Sequence, residues 1–167
     1  MRLFLITMVF AAALMVQAQT PDQHDDHHAG MTRRGDQAMG FSHEKTTHHF
    51  RLYKDGGAIE VSANQATDTD SRDMIRMHLA HIAKMFAAGD FKAPMFIHGT
   101  NPPGTATMAQ LRDKITYHYE DTSSGGRVRI ASADPRAVDA IHKFLRFQID
   151  EHKTGDPTDL QVKSADK

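Results

Sequence analysis

Residues 44–64 and 113–133 align without a gap, and this internal repeat limits the chain to architectures built from two copies of one unit. Lys45 falls opposite Lys114, Thr47 opposite Thr116, His49 opposite His118, and Gly56-Gly57 opposite Gly125-Gly126. The register extends upstream, pairing Gly35 with Gly104 and Met39 with Met108. After a small loop difference, Ile75, Leu79, Gly89 and Asp90 match Ile141, Leu145, Gly155 and Asp156.

Each copy reads as a hairpin followed by a helix. In the first, β-branched and aromatic residues flank Asp55-Gly56-Gly57, a turn sequence that accepts positive φ. Strand alternation puts His48, Phe50 and Leu52 on one face with Ile59, Val61 and Ala63. Thr47, His49, Arg51, Tyr53 and Glu60 fall on the other. In the second hairpin Ile115, Tyr117, Tyr119, Val128 and Ile130 point inward, and Thr116, His118, Glu120, Arg127 and Arg129 outward. A helix from Thr69, Asp70 or Ser71 to about Ala88 carries Ile75, Leu79, Ile82 and Phe86 at core spacing. Its counterpart starts at the N-cap Asp134 with Pro135 next, and buries Val138, Ile141, Leu145 and Ile149. The expected fold is α+β: two ββα repeats, one four-stranded antiparallel sheet, and both main helices on one face.

The domain is expected to span residues 35–157, with repeats at 35–90 and 104–156. Between them, residues 91–104 carry three prolines and read as a crossover with a short extended piece at Met95 to His98. Thr105 is placed to cap a short helix through Arg112. Residues 19–34 are polar and rich in His and Asp, which predicts a disordered linker. Residues 158–167 read as a disordered tail. Residues 1–18 have the form of a secretory signal peptide: Arg2, an apolar stretch from Leu3 to Val16, then Val16-Gln17-Ala18. A periplasmic or secreted protein follows, with no membrane-spanning stretch once that segment is removed.

Net charge is −1 and Lys and Arg are scattered, so no basic stripe for nucleic acid exists. There is no G-x-S-x-G elbow, no Gly-rich phosphate loop and no H-E-x-x-H. The chain has no Cys, but 12 His and 10 Met, which leaves imidazole and thioether as the soft and borderline metal ligands. His78 and His81 lie one helical turn apart, flanked by Met74 and Met85 on the same side. His48 and His49 are strand neighbours, so at most one joins any given site. The repeated pairs His49 with His118 and Met39 with Met108 could meet across a pseudo-twofold axis. The candidate metal ligands are therefore His48, His49, His78, His81, His118, Met39, Met74 and Met85. Each also has a purely structural role open to it, as packing or as an exposed polar residue.

The block M-G-F-S-H-E-K-T-T-H-H-F (39–50), with G-G-A-I-E-V, R-M-H-L-A-H-I-A and F-L-R-F-Q-I-D-E-H-K-T-G-D, resembles a family of small exported bacterial proteins. The resemblance covers most of residues 35–157. Members of that family are sometimes labelled aspartate carbamoyltransferase, but the S-T-R-T phosphate-binding motif of that enzyme is absent here. The resemblance implies a shared fold and no mechanism.

From the residues, the first expectation is an exported metal-binding protein, copper ahead of zinc, serving as carrier, buffer or resistance factor. The second is a module that binds a protein on its exposed sheet face, or a small ligand, with incidental histidines. The third is a redox metal enzyme at the same histidines.

Overall fold

A computed structural model describes residues 21–161; residues 1–18, expected to be a signal peptide, and residues 162–167 lie outside them. The sheet is four-stranded and antiparallel, formed by β1 (Thr46–Tyr53), β2 (Gly56–Ala63), β3 (Ile115–Asp121) and β4 (Gly125–Ser132) in the order β1-β2-β4-β3. The expected α+β architecture of two ββα units is the one observed. At the centre, β2 pairs with β4, and Ile59 faces Val128. These two occupy the same position in their repeats, so the pseudo-twofold axis passes between them.

The main helices are α2 (Thr69–Ala87) and α5 (Pro135–His152). Asp68 caps α2 by accepting the Ser71 N–H at 3.0 Å. Asp134 caps α5 by accepting the Arg136 N–H at 2.9 Å, with Pro135 in the first turn. The helices are exchanged across the axis: α2 lies mainly on β3 and β4, and α5 on β1 and β2. Paired glycines make this possible. A Cβ on Gly57 would collide with the Arg51 carbonyl and with Cδ1 of Leu145 on α5; one on Gly126 would lie 3.3 Å from Cδ1 of Leu79 on α2. Equivalent side chains tie each helix to the opposite hairpin. Arg76 of α2 donates to the carbonyls of Thr122 (2.6 Å) and Gly125 (3.0 Å). His142 of α5 donates from Nε2 to those of Tyr53 (2.9 Å) and Gly56 (3.0 Å). Ile59, Val61, Ile75, Leu79, Ile82, Val128, Ile130, Ile141 and Leu145 are buried in one cluster, as expected; Val138, also expected on the core face of α5, is only half-buried, and Ala137 and Ala140 are the buried residues there.

Five local expectations are corrected. The first hairpin turns at Lys54-Asp55, and Gly56, with φ 138°, already belongs to β2. Residues 21–34 are not a disordered linker, because α1 runs Pro21–Met39. Met31 is 5% exposed, and Arg34 Nε donates to the carbonyls of Phe96 and Ile97, both at 2.9 Å. Those carbonyls belong to α3 (Lys92–His98), which replaces the extended piece expected at Met95 to His98; Pro94 sits in its first turn, where no N–H is needed. A short α4 (Thr105–Gln110) starts from Gly104 without a side-chain cap. Beyond α5, residues 158–161 do not form a loose tail. Thr158 O accepts from Arg146 Nε at 3.0 Å, and Gln161 N–H donates to Leu52 O at 2.7 Å.

Among the described residues, no helix is long and apolar enough to cross a membrane.

Candidate functional site

On the outer sheet face the charges are satisfied locally. Glu60 lies 3.5 Å from Arg51 and 3.7 Å from Arg127, and Arg127 also pairs with Glu120. His49 belongs to this face. Its Nδ1 is 2.9 Å from Asp156, whose carboxylate also accepts from Phe50 N–H (2.9 Å) and Arg51 (3.0 Å). Burial works to raise the Asp156 carboxyl. The hydrogen bonds from Phe50, Thr154 and His49, with the His49 charge, outweigh it and hold the group below the usual carboxylate range. His118 stands exposed on β3. β1 and β3 are the two edge strands, three strand spacings or about 14 Å apart, so His49 and His118 do not meet across the axis.

The helical side is different. An inner pit of about 70 Å³ lies among β1, α1, α2, α3 and α5, lined in part by Met39, His48, His78, His98, Gln148 and His152. It adjoins a wider mouth of about 300 Å³, whose walls include Met31, Thr46, Thr47, Glu151 and Thr154; Met39, His48 and His152 border both. The imidazoles form a connected group. The His48 and His152 rings stack with centroids 5.8 Å apart, and His152 meets His98 edge-on at 5.1 Å. Phe41 touches His78 at 5.8 Å and His48 at 6.3 Å. Burial, and then the neighbours His78, His43 and His49, push the His48 pKa down to about 4. Burial and then His81 do the same to His78. Both rings are therefore neutral at neutral pH, with a lone pair on one nitrogen.

Of the eight predicted ligands, the fold brings three to this recess: Met39, His48 and His78. His81 is exposed on α2, and Met74 and Met85 pack against the core. His98, Gln148 and His152 were not singled out by the sequence analysis. Among the described residues, no group of three or more His, Asp or Glu side chains is arranged to hold a metal ion.

The repeat shows what sets this recess apart. His48 occupies the position of Tyr117 in the second hairpin. Because Ile75 matches Ile141, His78 takes the position of Phe144 and His152 that of Phe86. The spacing agrees, with ring centroids 6.0 Å apart for Phe86 and Tyr117 and 5.8 Å for His152 and His48, although the first pair meets edge-on and the second is stacked. Phe86 also meets Phe144 edge-on at 5.9 Å. Met108, the counterpart of Met39, is 0% exposed. One half of the molecule thus closes its core with an aromatic trio, and the other carries three imidazoles at those positions around a cavity. Simple packing would favour aromatic rings at both places, since buried polar rings are costly unless used. Comparison of the chain with protein-family models, curated proteins and solved structures finds no match, so its function has to be read from these side chains.

Proposed function

We propose that this is a binding protein whose ligand sits in the imidazole-lined recess between α1, α3, β1 and the C-terminal end of α5. The replacement of the trio Tyr117, Phe86 and Phe144 by His48, His152 and His78 carries this reading. The pit has the form of a small-ligand site, mostly apolar walls with a few convergent polar groups, and the mouth beside it is lined mainly by polar residues. The form of residues 1–18 and the resemblance to exported bacterial proteins support action outside the cytoplasm. The test is to purify the untagged protein from its host and record native mass spectra. A bound species is expected on the wild type and lost from the variant His48→Tyr, His78→Phe, His152→Phe. Equal retention by that variant would place the ligand elsewhere.

A second reading, metal binding, has its own observation. Met39 stands beside neutral imidazoles, a donor set suited to copper(I), while imidazoles alone suit zinc. The stacked rings of His48 and His152 would have to swing toward a common point. Elemental analysis, followed by copper(I) and zinc titration of the wild type and of His48→Ala, His78→Ala, separates this reading from the first. Tight binding lost in the double variant supports it, and no tight binding to the wild type excludes it.

A further inference from the structure

The inner pit contains one polar group that the fold leaves unsatisfied. Gln148 lies on α5, is 5% exposed and lines the pit. Its Oε1 lies 3.0 Å from His98 Nε2, whereas its amide nitrogen has no hydrogen-bond partner. A buried amide donor left in this state carries a desolvation cost that a ligand atom could recover. Among the described residues no Asp, Glu, Lys or Arg lines the pit, and the His48 and His78 rings there are neutral at neutral pH. The pit is also small. A cavity of about 150 Å³ accommodates a benzene ring, so about 70 Å³ admits a head of a few atoms while the body stays in the mouth.

Resting on the proposed recess, we infer that the ligand is a neutral molecule with a carbonyl-type acceptor at its buried end, received by the Gln148 amide N–H. The apolar shoulder behind that acceptor packs on Met39 and Ile97. The rest of the ligand lies in the mouth, beside Thr46, Thr47 and Thr154. This is the chemistry of a ketone, an aldehyde or an ester, and not of an anion or a hydrocarbon.

Acetophenone and ethylbenzene share a skeleton and differ in the acceptor, so the two make the probe pair. Titrations of the wild-type protein, followed by two-dimensional NMR of the ¹⁵N-labelled chain, read both affinity and the Gln148 side-chain amide. Acetophenone is expected to bind about fivefold more tightly than ethylbenzene, one hydrogen bond's worth. It should also shift the amide resonance that disappears in Gln148→Met, which ethylbenzene leaves in place. Because the comparison is made on the wild type, a variant weakened by the loss of the His98 contact does not compromise it. Equal affinities with an unmoved amide would overturn the inference and leave the recess standing. Failure of both probes to bind at millimolar concentration would remove the recess as an apolar site, and the inference with it.

Discussion

Installing the aromatic trio in place of the imidazoles, as His48→Tyr, His78→Phe, His152→Phe, should make the protein more stable as well as closing the recess. Filling about 70 Å³ of void at about 24 cal/mol per Å³ is worth about 1.7 kcal/mol. For a domain of this size that is a rise in Tm of about 3–7 °C. A second contribution depends on pH. His48 and His78 titrate at about 4 in the folded protein, against 6.5 for an unperturbed imidazole. The folded state disfavours their protonated form, so their stability is fully present above about pH 6.5 and is withdrawn as pH falls toward 4. At about pH 4.5 the loss is roughly 2–3 kcal/mol for each ring. The variant lacks both rings, so its advantage should widen on acidification. Urea unfolding followed by circular dichroism at about pH 7.5 and about pH 4.5 measures both effects. A variant no more stable at the higher pH, with the same acid slope as the wild type, would show that these positions are not equivalent across the axis.

Gly57→Ala should cost more than Gly126→Ala, about 3 kcal/mol against about 1 kcal/mol by thermal melting. The added methyl meets a backbone carbonyl and Leu145 in the first case, but ring atoms of Tyr119 at 2.9 Å and Leu79 at 3.3 Å in the second. Asp156→Asn should destabilise by about 2 kcal/mol, because the carboxylate that accepts from Phe50, His49 and Arg51 is lost. Its carboxyl is held low, so its contribution is present above the unfolded carboxylate pKa and fades only as pH falls through the folded one; a urea midpoint series from neutral to acid pH follows this. Arg76→Ala and His142→Ala should each lower the unfolding free energy read from urea titration by a similar step, about 1–2 kcal/mol, since both bind the two carbonyls at an equivalent turn. If export occurs as the first residues indicate, intact mass from the native host should place the mature N-terminus at or near Gln19.

The fold was legible because two signals coincided. The repeat fixed the number of units, and strand and helix periodicity chose the buried face of each. Element ends followed where local chemistry was unambiguous, as at Asp134-Pro135. They drifted where several polar residues competed, and Asp68 rather than Thr69 caps α2. Two helices were missed because composition pointed the other way. α1 is polar overall and is anchored through Met31 and Arg34, while α3 carries its proline in the one turn that tolerates it. At the recess, His48 and His78 were recognisable as inward or core-flanking histidines. His152 is the last residue of α5, beyond the core positions singled out on that helix. Continuing the repeat alignment to that point sets it against Phe86, a contrast available in the sequence. No sequence pattern indicates His98 or Gln148, because their meeting depends on how α3 packs against α5.

The exchange of α2 and α5 across the axis has a consequence for how the chain is made. The apolar face of the first hairpin is covered mainly by α5, and at ~5–20 residues per second Leu145 is synthesised roughly 5–20 s after Gly57. Within that interval α2 emerges first, then β3 and β4, the strands it mainly covers, and α5 last. The first half must therefore wait, with its inward face open, until nearly the whole chain exists. A polypeptide interrupted before α5 lacks the helix that mainly covers the first hairpin, and exposes apolar surface of the kind that chaperones and proteases recognise.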